Sequence, residues 1–179
     1  MTGCSQTYTW SPTTASATPT PSGPVTQVIW QNGSVGCWGG NCGTGAINTN
    51  FNGCVEMVTG TQTLEIYTTG PVLSGSYQYN LQNAQSLAAF ANGHVLFSIM
   101  LAQPASSYTS LYVGGSGGSE NLNISTLSNS AFTNLSLPFN SIELTGSTTA
   151  IFEVGFSLFG ANLSGESIFY INNIEFTSD

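Results

Sequence analysis

Lysine and arginine are absent from this chain, and one histidine, His94, is the only other side chain able to carry a positive charge. Nucleic acids and anionic membrane surfaces are gripped by neutralising phosphate with Lys and Arg, so neither is expected as a partner. Acids are scarce too. Eight Asp and Glu set a formal net charge of −8, and charged residues make up 4% of the chain, against about 25% in ordinary globular proteins. The solvated surface must therefore be built from Ser, Thr, Asn, Gln and Gly, which suits a secreted, extracellular protein. With no cation to pair with, each carboxylate is hydrated, hydrogen-bonded, metal-bound or repelled by its neighbours. Stability is accordingly expected to hold or rise on acidification. No apolar run reaches the ~18 residues of a membrane-spanning helix, so no span is expected. No apolar leader is seen, as in a mature form, and "MTGC" resembles the last residues of a bacterial lipobox ending at Cys4.

What the chain does have begins with four cysteines, Cys4, Cys37, Cys42 and Cys54. An even set in a secreted-looking chain favours two disulfides. Cys37 with Cys42 and Cys4 with Cys54 is the preferred arrangement among the three pairings that four cysteines allow. A zinc site from Cys37, Cys42, Cys54 and His94 is the lesser reading, because the spacing matches no known ribbon or finger.

Residues 11–24, "SPTTASATPTPSGP", carry Pro12, Pro19, Pro21 and Pro24 among small polar residues. That composition favours polyproline II and forbids a helix or a central strand. Residues 1–24 are thus expected to form an extended linker or arm, and residues 25–179 one domain large enough for its own core. From Val25 onward, short alternating or apolar bursts are separated by Gly, Asn and Ser. "VTQVIWQ", "CVEMV", "TLEIY", "SYQYN", "HVLFSIMLA", "TSLYVG", "NLNIS", "FTNLSLPF", "SIELT", "AIFEVGFSLF" and "IFYINNIEF" all read as strands. Their number and spacing predict an all-β, antiparallel two-sheet β-sandwich. One short helix is expected in "NAQSLAAFANG", residues 83–93, with Leu87, Phe90 and Ala91 on one face and Asn92-Gly93 as the stop.

Candidate chemistry is sparse. A glycosidase needs two acids facing across a sugar, but in "TLEIY", "SIELT" and "IFEVG" strand alternation turns the Glu to solvent. "GGSGG" fits the nucleophile-elbow pattern around Ser116, yet no helix follows and the chain has no internal Asp. It reads as a flexible turn, and His94 reads as structural. No catalytic residue is assigned.

Aromatic residues carry more, because sugars stack their C–H faces on Trp and Tyr while their hydroxyls bond to polar neighbours. Trp30, Trp38, Tyr77, Tyr79, Tyr108 and Tyr112 lie in polar or alternating surroundings and form the candidate binding set. Phe97, Phe152, Phe156 and Phe169 sit in the most apolar runs and form the candidate core. Sequons begin at Asn32, Asn123, Asn134 and Asn162, which are candidate glycosylation sites in a secretory route.

Over residues 54–177 the pattern resembles the jelly-roll carbohydrate-binding modules (galactose-binding-like β-sandwiches) of extracellular glycoside hydrolases. Ser136-Leu137-Pro138-Phe139 is similar to their "PL"-type turn, and Tyr170-Ile171-Asn172-Asn173-Ile174 to their last strand. The resemblance implies non-catalytic binding of a polysaccharide on a sheet face or end loops. It also implies a structural calcium, held by an acid where this chain has Asn172; Asn carbonyls, Glu56 and backbone oxygens could supply its ligands. The alternative expectation is a self-assembling subunit of an extracellular filament or surface layer, with residues 1–24 docking on a neighbour by strand addition.

Overall fold

The computed structural model describes residues 26–31, 34–35, 37–38, 41–42, 44–49, 53–58, 63–68, 74–80, 90, 92–114, 118–142, 151–159 and 166–178; side chains are described at 63–67, 74–77, 90, 92–114, 118–142, 153–159 and 166–178. The arm expected over residues 1–24 lies outside them, as does most of the helix expected over 83–93.

In chain order the strands are β1 (Thr26–Gln31), β2 (Ser34–Val35), β3 (Cys37–Trp38), β4 (Asn41–Cys42), β5 (Thr44–Thr49), β6 (Gly53–Val58) and β7 (Thr63–Thr68). They continue with β8 (Ser74–Asn80), β9 (His94–Leu101), β10 (Tyr108–Gly114), β11 (Ser119–Asn121), β12 (Thr133–Pro138), β13 (Ile151–Leu158) and β14 (Ser167–Thr177). All pairings among them are antiparallel. Among the described residues there is no α-helix, only short 3-10 turns such as Ala105–Ser107 and Ile124–Thr126; the second replaces the strand expected in "NLNIS", because the Asn123 side chain accepts from the Ser125 N–H and caps a turn instead.

Two sheets result, as the strand spacing predicts. One runs β12-β9-β14-β1-β2, with β7 also on β14 and β6 on β7; the other runs β11-β10-β13-β8-β5. β3 and β4 form a small hairpin apart from both. Strand β14 organises the larger sheet. β9 lies along one side of it, while its other side pairs first with β7 through Ser167 to Ile171 and then with β1 through Asn173 to Thr177.

Alternation decides which side chains enter the core. On β9, Val95, Phe97, Ile99 and Leu101 are buried while His94, Leu96, Ser98 and Met100 face outward. On the smaller sheet, Leu111, Val113, Val154, Phe156 and Leu158 are buried. Phe156 of β13 meets Phe169 of β14 edge to face, with centroids 5.9 Å apart, so the sheets are joined by an aromatic contact worth about 0.5–1.5 kcal/mol beyond burial. Of the Phe residues expected in the core, Phe97, Phe156 and Phe169 are buried; the side chain of Phe152 lies outside the description.

One end of the sandwich is closed by Phe90, Phe139 and Phe176. Phe139 packs edge-on against Phe176 at 4.9 Å and stacks on Phe90 at 5.7 Å. Phe139 is therefore the plug that the Pro138 turn delivers, and its N–H donates to the Gly93 carbonyl at 2.9 Å. Gly93 has to be small here, because a Cβ would sit 1.8 Å from the Thr177 carbonyl oxygen.

Candidate functional site

The outward face of the five-stranded sheet gathers the features a ligand surface needs. Across it one row reads Asn121, Tyr112, Gly155, Ser76 and Asn48 by register, and the next reads Ser110, Ser157 and Ser74. A third reads Ser119, Gly114, Glu153 and Gln78. Small hydroxyl residues keep this face low, and β-sheet geometry holds the rows about 7 Å apart along each strand.

Tyr112 lies across this surface. A Cβ on Gly155, its register partner, would fall 1.9 Å from the ring's Cζ and 2.3 Å from its hydroxyl. Only the missing side chain of Gly155 leaves room there for the far end of the ring. The phenol donates to the Glu153 carboxylate at 2.9 Å, which fixes the ring's direction. Burial, with the hydrogen bond to Glu153 and its negative charge, pushes the Tyr112 phenol up to about 12. The result is a half-buried aromatic platform, with its proton held firmly, in a field of serine hydroxyls.

The structure separates the aromatic residues singled out in the sequence. Tyr112 alone is a described, partly exposed member of this face. Tyr77 is 1% and Tyr108 6% exposed, so both leave the candidate binding set for the core. Tyr77 pairs with the buried Val154 on the inward side of β8. Tyr108 buries its ring and donates its hydroxyl to the Ile168 carbonyl; desolvation pushes its phenol up to about 12, against the opposing effect of backbone hydrogen bonds. Tyr79 stands opposite Phe152 and Gly45, Trp30 opposite the buried Ile174, and Trp38 opposite Asn41 in the small hairpin; their side chains lie outside the description. Glu153 and Gly155 were missed as site residues. Their signal is the odd-numbered alternation of "IFEVGFSLF", which puts residues 153, 155 and 157 on one side.

The other candidates fall elsewhere. Cys37 and Cys42 are register partners in the hairpin, while Cys54 pairs with Tyr67 on β6 and β7; Cys4 is outside the description. Glu56 pairs with Glu65 on β6 and β7. Asn172 is the extra residue of a bulge in β14, because Ile171 pairs with Ile99 and Asn173 with Ser98. β7 lies between β6, which carries Glu56, and β14, which carries Asn172. Among the described residues no group of three or more His, Cys, Asp or Glu could hold a metal ion.

Of the sequons, Asn123 and Asn134 are exposed. Asn123 accepts from the Ser125 N–H and hydroxyl, and Asn134 from the Ser98 hydroxyl at 2.6 Å. Asn32 and Asn162 lie outside the description. Among the described residues, the one pair of acids in register is Glu56 and Glu65. Glu153 points outward beside Tyr112, whereas Glu120 shares the inward register of Val113, with one carboxylate oxygen buried and unpartnered. Glu65 and Glu175 belong to the other sheet, where they accept from Ser167 and Asn173.

Fold and face together define an antiparallel β-sandwich with one low, hydroxyl-lined sheet surface. The chain is similar to the family 11 carbohydrate-binding module of the cellulosomal cellulase Lic26A-Cel5E of Clostridium thermocellum, with a TM-score of 0.45 and 12% identity over 76% of this chain and 88% of that one. It is also similar to the structure of the Spr0440 glycoside hydrolase domain, Endo-D, from Streptococcus pneumoniae R6, with a TM-score of 0.44 and 13% identity over 76% of this chain and 21% of that one. No protein-family model matches the chain, and no curated protein matches it in sequence. These likenesses concern architecture alone. No helix among the described residues is long and apolar enough to cross a membrane.

Proposed function

We propose that the protein is a secreted, non-catalytic carbohydrate-binding β-sandwich that holds a polysaccharide on the outward face of its five-stranded sheet. The observation that carries this reading is Tyr112 seated against Gly155 and tethered to Glu153 among serines. An aromatic plane with hydroxyls around it meets both surfaces of a sugar, its apolar C–H face and its polar rim. On this face Glu153 stands in register with Gly114 and Gln78 and not with a second acid, which supports binding without hydrolysis, since glycoside cleavage asks for two acids flanking one bond. Secretion is supported by the low charge and by the cysteines. Directly opposed residues in an antiparallel pair have Cα atoms about 4.5–5.5 Å apart, inside the disulfide range, so we read Cys37–Cys42 as a bridge and Cys4–Cys54 as its companion. Affinity electrophoresis in gels containing soluble polysaccharides tests the reading. The protein should be retarded by at least one of them, and Tyr112→Ala should migrate freely while unfolding at the same temperature.

A second reading, self-assembly into an extracellular filament, is favoured by one feature. β12 closes the larger sheet with Asn134, Ser136 and Pro138 exposed, and a sheet edge of this kind accepts an added strand. Residues 1–24 of a neighbour would supply it. Negative-stain microscopy of the full chain beside one lacking residues 1–24 decides this. Fibres lost on truncation favour assembly; separate particles in both samples rule it out.

A further inference from the structure

The outward alternation of β13 does not stop at Ser157. Val154, Phe156 and Leu158 are buried while Glu153 and Ser157 face out, and the N–H of Phe159 donates to the Ser107 carbonyl at 2.8 Å. That bond carries the ladder with β10 one residue past the strand and keeps Phe159 in phase with the outward residues. Its side chain is 76% exposed, the only large hydrophobic in that state among the described residues. Between it and the platform lie Ser107, Ser110 and Ser157, half-buried, and Thr109, exposed. Four residues of extended chain separate Gly155, under the Tyr112 ring, from Phe159, about 13 Å along the sheet. That distance exceeds one sugar ring.

Resting on the glycan-binding reading above, we propose that Phe159 is a second stacking platform and that the ligand is a neutral, linear polysaccharide. It lies along β13, with one sugar on Tyr112, another on Phe159 and the units between them bonded to the serine hydroxyls. Charge selects the neutral chain. Glu153 sits beside Tyr112, and the protein has no Lys or Arg to neutralise a uronate or sulfate, so an anionic chain meets repulsion without compensation. Length follows from geometry, because a disaccharide reaches one ring and not both.

The test compares the full chain with its Tyr112→Ala and Phe159→Ser variants. The probes are hydroxyethyl cellulose, glucomannan, dextran and, as the anionic member, alginate, with the disaccharide of whichever linkage binds. Phe159→Ser should leave the unfolding temperature unchanged, weaken the polymer roughly three- to tenfold and leave the disaccharide's affinity as it was. Phe159→Tyr should bind like the parent. Equal polymer affinity for Phe159→Ser and parent, with Tyr112→Ala still defective, overturns the second platform and spares the glycan reading. Preference for alginate overturns the neutral ligand. No binding to any probe, or binding indifferent to both substitutions, overturns the glycan reading and the inference with it.

Discussion

At the scale of single residues, the site turns on what Gly155 lacks. Any side chain there must share space with Tyr112, and the atoms in the way are the far end of that ring, which can lift. Gly155→Ala is therefore expected to fold, with a small change in unfolding temperature, and to lose most glycan affinity because the ring is displaced from its seat. A variant that binds as tightly as the parent would show that the ring's seat is irrelevant. The two buried phenols give a second outcome. Tyr108 and Tyr112 are pushed up to about 12 from an ordinary 10, so the folded protein keeps protons that the unfolded chain releases. Their contribution is complete below pH 10 and is lost as pH rises toward 12. In a phenolate absorbance titration, Tyr108 and Tyr112 should ionise late in the folded protein, and Tyr112→Phe should remove one late-ionising phenol.

Elements explain why only part of this was legible beforehand. Strands announce themselves by alternation, and "HVLFSIML" did so without ambiguity. Alternation does not say which phase is inward, however. "SYQYN" offers Tyr77 in polar company, and only its pairing with Val154 shows that the phase is buried. Tyr108 likewise looks amphipathic until the Ile168 carbonyl arrives from another strand to take its hydroxyl. In β14 the phase changes mid-strand. Phe169 and Ile171 are buried before the bulge, and Ile174 and Phe176 after it, so "INNI" spends one asparagine on an extra residue. Removing Asn172 would take out only that extra residue, leaving Ile171 on Ile99 and Asn173 on Ser98 with Ile174 and Phe176 still inward. Deletion of Asn172 should therefore leave thermal unfolding cooperative, and Asn172→Ser should cost little. A deletion variant that no longer unfolds cooperatively would mean that the strand needs the bulge itself.

On the scale of the whole molecule, charge and topology set the behaviour. Glu56 and Glu65 are opposed on neighbouring strands, and like charges so placed are destabilising by a few tenths to about 1 kcal/mol. The formal net charge of −8 comes without a Lys or Arg, and the self-repulsion of that charge falls with pH, which favours the folded state. The melting temperature at pH 4 and low ionic strength should equal or exceed that at pH 7; a steady fall would mean that carboxylate hydrogen bonds such as Tyr112 to Glu153 outweigh the repulsion. The all-β sandwich was readable from strand spacing alone. The binding face was not, because it is made of residues from β10, β11, β13 and β8 that only the register brings together.

The position of β14 has a consequence for how the molecule is made. It is the last of these strands to be synthesised, yet β9, β7 and β1 all hydrogen-bond to it. Until it emerges, the larger sheet exists only as separated ribbons whose partners lie far apart in sequence, a topology that folds slowly. The larger sheet is thus completed only when its final strand is in place, and a chain cut short before Ser167 lacks the strand that joins its ribbons.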